Sequence, residues 1–238
     1  MKTKIFLTIL CCILLVSLIG MLISQGVQAQ GSTAWPERLE PLTERIVIFT
    51  SSGTFTAPPG VTTVYLTMCG GGGGGGGGTY NAGAGGGGAS GNTIVNYPYT
   101  VIPGGEYTVT IGEGGSGGEG GFTAGEGEVG GNSVFDTLTV PGGDYGEGGG
   151  GGYYGGGGSN SKATLGISVE GDPGNQGGAD RIGGLGGNGI LGSGGAGGDL
   201  SAGGTGSGYS GGGGGGASRG NFWYDGGAGA AGVCIIMY

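Results

Sequence analysis

The stretch "VYLTMCGGGGGGGGGTYNAGAGGGG", residues 64–88, decides how this chain is read. An alternating apolar strand runs without a break into nine consecutive glycines, Gly70 to Gly78. Either those glycines are a flexible tether or they are a building material. Glycine supplies 75 of the 238 residues, far above the roughly 7% of an ordinary chain. Only Gly20, Gly26, Gly31, Gly53 and Gly60 precede Cys69, so a conventional front is followed by a glycine-dominated remainder.

Strand signals surround and interrupt the glycine runs. In "RIVIF" at 45–49 and "TVYLTMC" at 63–69, apolar residues recur with the period of two that a half-buried strand requires. "PPG" at 58–60 marks a turn between them. Further strand candidates are "NTIVNYPYTV" at 92–101, "EYTVTIG" at 106–112, "NSVFDTLTV" at 132–140 and "VCIIMY" at 233–238. "PGG" at 103–105 and at 141–143 supplies turn chemistry, and helix signals are almost absent after residue 45. The predicted fold class is mainly β: a small antiparallel β domain, with the glycine runs as its second material.

Collagen is excluded as a model for those runs, because it needs glycine strictly every third residue and abundant proline, whereas the chain has eight prolines and runs of four to nine glycines. A random-coil linker fits the composition but not the placement. Strands recur between the runs and after the last one, and long structureless connections are uncommon inside compact domains. The remaining form is a bundle of polyglycine II helices, with three residues per turn and about 3.1 Å rise, whose outward N–H and C=O groups bond to neighbouring helices. "IGGLGGNGIL" at 182–191 places Ile182, Leu185, Asn188 and Leu191 at every third position, with Ile190 out of step. Ordering such backbone costs about 1–2 kcal/mol per residue and each hydrogen bond returns about 0.5–1.5 kcal/mol. The β domain is therefore expected to hold the ends of the bundle.

The first 29 residues read as an export signal: Lys2 and Lys4, an apolar stretch from Ile5 to Ile23, and "SQGVQA" ending in a small-x-small pattern at Val27 and Ala29. The apolar stretch is long enough to cross a bilayer as a helix, so retention as a signal-anchor is the alternative to cleavage. Residues 30–43, rich in proline and charge, read as a linker, and 44–238 as the glycine-rich β domain. The expected location is secreted or cell surface, with membrane contact only if the N-terminal segment is retained as an anchor. Residues 30–238 hold five basic residues against 16 acidic ones, the wrong sign for a nucleic-acid partner.

"GTFTAPPGVTTVYLTMCGGGGGGGGG", "YPYTVIPGGEYTVTIGEGGSGG" and the closing "GGAGAAGVCIIMY" together resemble the glycine-rich domain of many bacterial and phage surface proteins, over about residues 53–238. More distantly the chain is similar to the adhesins at the tip of phage long tail fibres, where packed polyglycine II helices form a sandwich and loops touch the host receptor. An export signal is a departure from those adhesins. The resemblance implies recognition by loops at the ends of a bundle.

The chain has no histidine, which removes the usual general base of serine and cysteine hydrolases, and its acids are scattered singly. Gly-x-Gly-x-x-Gly matches carry no information in this composition. "GSNSKAT" at 158–164 has Ser161 where a phosphate loop needs glycine, and "GGAGGDLSA" at 194–202 has Ser201 where a calcium repeat needs an apolar residue. No enzymatic activity, cofactor or metal is expected.

Aromatics within the glycine region are the candidate binding residues, since rigid rings on loops are common anchors; the alternative is that they cover the core or the bundle ends. The candidates are Tyr153 and Tyr154, and Arg219, Phe222, Trp223 and Tyr224 in "SRGNFWYDG" at 218–226. Cys69 and Cys234 are a candidate disulfide. An antiparallel pairing of the two strands that hold them, with Tyr65 opposite Tyr238, sets the cysteines opposite each other. Against a bond, directly paired residues often have poor disulfide geometry, and cysteine also serves as a small core residue. The functional expectation is a non-enzymatic adhesion or receptor-recognition protein whose partner is a cell-surface protein or glycan. The alternative is a structural surface-layer, sheath or filament component that binds copies of itself.

Overall fold

The computed structural model describes residues 45–80, 83–150, 168–169, 182–219 and 221–238. The expected signal at 1–29 and linker at 30–43 lie outside them. The described residues contain no helix and thirteen strands: β1 (Ile46–Phe49), β2 (Gly53–Thr56), β3 (Thr63–Cys69), β4 (Thr93–Thr100), β5 (Glu106–Thr110), β6 (Ser133–Phe135), β7 (Leu138–Val140), β8 (Ser168–Val169), β9 (Gly192–Ser193), β10 (Ser207–Gly208), β11 (Ser218–Arg219), β12 (Phe222–Trp223) and β13 (Val233–Met237).

Two antiparallel sheets share one core. The first has the order β1-β13-β3-β4-β8, the second β2-β5-β6-β7. The alternation read in residues 63–69 is observed: Val64, Leu66 and Met68 are buried in the core, and Tyr65 points outward. They meet Ile94, Cys234 and Ile236 of their own sheet, and Phe55, Val109, Phe135, Leu138 and Val140 of the other. Phe135 stacks on Tyr107 with ring centroids 5.6 Å apart, and Tyr99 meets it edge-on at 5.1 Å. The stretch 132–140 is two strands rather than one. Asp136 adopts a φ of 53°, which an Asp tolerates better than most residues, and turns the chain into the β6–β7 hairpin.

Strand β3 pairs with β13 antiparallel as expected, but one residue out of the register that faces the cysteines. Cys69 lies opposite Val233, and Cys234 opposite Met68. A one-residue slip turns a side chain to the other face of the sheet. Cys234 thus joins the core beside Met68, while Cys69 faces the other way and is no part of that cluster. Both thiols are free and buried.

The glycine runs belong to neither sheet. Segment 70–78 leaves the end of β3, and each of its residues bonds to a neighbour in a cycle of three. The N–H groups of Gly70, Gly73 and Gly76 donate to Asn92, Ala89 and Gly86; those of Gly71, Gly74 and Gly77 to Gly131, Glu128 and Gly125; those of Gly72, Gly75 and Gly78 to Ala230, Gly227 and Tyr224. Its carbonyls accept from Gly143, Gly146 and Gly149, from Gly115, Gly118 and Gly121, and from Gly213 and Gly216. Partner numbers fall along the first three segments and rise along the last three, so three neighbours run antiparallel and three parallel.

The six neighbours close a ring around 70–78. Gly86 donates to Glu147, Gly127 to Gly146, Gly125 to Glu119, Gly226 to Gly118, Gly227 to Gly214, and Gly85 to Gly216. Segment 211–217 is the centre of a second ring, formed by 70–78, 83–92, 182–189, 192–198, 203–208 and 224–232. The two centres are the longest unbroken glycine runs of the described chain. A segment enclosed on every side has backbone against it in all directions: a Cβ on Gly74, Gly75 or Gly76 would come closer than 3.0 Å to a carbonyl of three different neighbours.

Outer segments need glycine only where they face inward. In 112–121, Gly112, Gly115 and Gly118 are buried while Glu113, Ser116 and Glu119 are exposed. In 182–189, Ile182, Leu185 and Asn188 are the exposed positions, and the chain turns at 190–191, which ends the repeat before Leu191.

Three predictions follow from this packing. Gly74→Ala should cost about 2–4 kcal/mol in denaturant unfolding, because rigid backbone rather than a mobile side chain meets the new methyl. Ser116→Ala, on an exposed edge, should stay within about 0.5 kcal/mol. Amides of 71–78 should exchange slowly with solvent, since each N–H is bonded inside the array; free-peptide rates would show that the array opens readily.

The thiols give a further one. Burial pushes Cys69 up to about 11 and Cys234 up to about 12. The folded state holds these protons more tightly than an unfolded thiol near 8.5, so their contribution is complete below that pH and is lost as pH climbs toward 11 and 12. The native thiols should resist alkylation at pH 8. Stability should fall less steeply between pH 8.5 and 11 in a Cys69→Ala/Cys234→Ala variant than in the wild type.

Candidate recognition site

Six strands of the two core sheets meet glycine segments at the same end. Segments leave β3, β5 and β7 and return to β4, β6 and β13. Thr79 and Tyr80, the turns at 121–124 and 199–202 and the β11–β12 hairpin therefore lie together at the far end, held by segments that bond to one another along their length.

Three rings gather there. Phe122 packs against Tyr80 and Trp223 with centroids 5.1 Å away in each case, and Tyr80 meets Trp223 edge-on at 6.0 Å. Phe122 is still 75% exposed, so the cluster is a surface rather than a core. Its base is tied down by backbone and side-chain bonds. Tyr80 N–H donates to Gly121 O, Ser218 Oγ–H to Thr79 O, and Gly120 N–H to Asp225 Oδ1 at 2.7 Å.

The hairpin sorts its side chains between two places. Register sets Ser218 opposite Trp223 and Arg219 opposite Phe222, and cross-strand partners share a face while successive residues alternate. Trp223 joins Tyr80 and Phe122. Arg219 and Phe222 instead line a cavity of about 590 Å³ with Leu200, Asn221 and Tyr224. Tyr80 Oη–H donates to Asn221 Oδ1 at 3.0 Å and links the ring cluster to the cavity wall.

Of the residues expected from sequence, Arg219, Phe222 and Tyr224 come together in this cavity, and Trp223 stands beside it in the ring cluster. Tyr153 and Tyr154 lie outside the described residues. Phe122 and Leu200 were not singled out from sequence. Each is a lone large apolar residue in "GGFTAG" or "GGDLSAGG", where the chain turns between glycine segments, and that is the signal by which they could have been found.

The flank of the array is acidic. Segments 112–121, 124–132 and 141–150 carry Glu113, Glu119, Glu126, Glu128, Asp144 and Glu147. The Glu126 carboxylate, foremost among several nearby acids, raises the Tyr145 phenol above its ordinary range. Among the described residues no group of His, Cys, Asp and Glu is placed to hold a metal ion, and no helix is long and apolar enough to cross a membrane.

Comparison with curated proteins gave no match. The glycine-rich domain family matches residues 50–238, and the chain belongs to it.

Proposed function

We propose that this is a non-enzymatic, secreted or surface-attached protein that recognises a cell-surface partner through the far end of its glycine array. The carrying observation is the exposed cluster of Tyr80, Phe122 and Trp223 beside the cavity at 219–224. Large rings that stay exposed on a braced support lose little freedom when a partner covers them. In this reading the array is a polyglycine II bundle: the three-residue hydrogen-bond cycle supports that form, and of the described glycines only Gly60, Gly104 and Gly208 take a positive φ. An N-terminal export signal supports the location.

Self-assembly into a surface layer or filament is the second reading, and one observation favours it. Strand β1 lies at the edge of its sheet with Ile46 56% and Ile48 59% exposed, the kind of edge that invites pairing with another copy.

Binding of the purified chain to panels of cells and glycans tests the first reading. Replacing Phe222, Trp223 and Tyr224 by Ala, with Phe122→Ala as a separate variant, should leave slow amide exchange in place. Attachment should weaken by about thirtyfold, as loss of an anchor worth about 2 kcal/mol requires. Unchanged attachment in folded variants, together with concentration-dependent growth in sedimentation, would transfer the conclusion to self-assembly.

A further inference from the structure

The cavity at the far end has a chemistry of its own, distinct from the ring cluster beside it. Five residues line it: Leu200, Arg219, Asn221, Phe222 and Tyr224. Its volume of about 590 Å³ falls within the range of about 300–1,000 Å³ typical of small-molecule sites. That space suits one or two sugar rings.

Charge narrows the class of ligand. The chain carries a formal charge of −9, and the flanking segments are acidic, so the surface as a whole repels anions. Arg219 is the exception at this end; Arg45, the other arginine of the described residues, adjoins β1. Arg219 makes no ion pair among the described residues. Asp225, which follows the cavity residues in sequence, turns its Oδ1 to Gly120 N–H at 2.7 Å. A single guanidinium presents a planar donor fork that matches one carboxylate. No second cation of the described residues joins it to balance a doubly charged phosphate.

The other walls suit the body of a sugar. Phe222 and Tyr224 line the cavity with aromatic rings that can cover the C–H side of a sugar. Asn221 is oriented by accepting from Tyr80 Oη at 3.0 Å, which leaves its amide N–H groups to donate to hydroxyls.

Leu200 supplies an independent sign that the site is shaped for use. It adopts a φ of 57° and remains 47% exposed. The other left-handed positions among the described residues are held by Gly60, Gly104 and Gly208 or by the small polar Asn96, Asp136 and Ser210, which leaves Leu200 as the one large apolar residue there. A bulky residue in that region is strained by about 1–3 kcal/mol, and such strain gathers at binding sites. In a chain this rich in glycine, a leucine held there and lining a cavity is not explained by folding.

We propose that this cavity binds a carboxylate-bearing sugar residue, with Arg219 pairing its carboxylate, Phe222 and Tyr224 covering its ring, and Asn221 bonding to a hydroxyl. The proposal rests on the recognition reading and specifies its ligand.

The test uses the whole chain and follows Trp223 fluorescence and calorimetric heat during titration with a hexuronic-acid disaccharide, the neutral disaccharide of the same linkage, a sulfated counterpart and acetate. The uronate should bind at least about tenfold more tightly than any of the other three. Arg219→Gln should remove that preference and Arg219→Lys restore part of it. Leu200→Gly should weaken binding while leaving amide exchange in 71–78 slow. Equal binding of the neutral or sulfated sugar, or no uronate binding up to 10 mM, would overturn the proposal. If uronate binding fails while ring-cluster variants still reduce cell attachment, recognition stands and only its ligand is wrong. Loss of both would remove recognition as well.

Discussion

The structure depends on the approach of backbone to backbone. Around segment 70–78, six neighbours are hydrogen-bonded to it, and carbonyls of three of them lie so close that no Cβ fits. That constraint allows each residue to bond through both N–H and C=O to a different segment. Where the approach is relaxed, at the outer edges, Glu113, Ser116, Glu119, Ile182 and Leu185 appear. Composition along each segment thus records how many of its sides are enclosed.

Such an array is costly to order, because glycine loses more backbone freedom on folding than any other residue. The two sheets offset part of that cost by fixing the ends. Strands β3, β5 and β7 deliver their segments in parallel, and β4, β6 and β13 take back the returning ones. The core of Leu66, Met68, Ile94, Phe135 and Ile236 sets the spacing between those ends. The hydrophobic effect acts at one end of the domain, and hydrogen bonding carries order to the other.

This division puts the proposed recognition site where the polypeptide is least constrained by packing. Turns between glycine segments are free to carry large side chains, and they do: Tyr80, Phe122, Leu200 and Trp223 all stand in or beside turns. The array beneath them brings residues more than 140 positions apart into contact, as in the bond from Tyr80 to Asn221. A small set of side chains on a stiff support can therefore specify a ligand without a conventional globular core around it.

The sequence by itself determined the class of material and several of its limits. Period-two alternation in Val64, Leu66 and Met68 announced the strand, and glycine runs interrupted by strands argued against a tether. The recurrence of Ile182, Leu185 and Asn188 announced the three-residue edge. The group at 218–226 was singled out because its rings stand apart from the expected strands, whereas the structure sets Phe222 and Trp223 in the short strand β12. Tertiary structure decided the rest. Which glycine segment neighbours which is invisible in the sequence, because identical glycines carry no mark of their partner, and the rings around 70–78 and 211–217 follow from strand order instead. The register of β3 on β13, one residue from the arrangement that would face the cysteines, was set by packing of Met68 and Cys234 into the shared core. The meeting of Phe122 with Tyr80 and Trp223, and of Leu200 with Arg219, was likewise beyond the sequence, since it depends on segments of matched length ending at the same level.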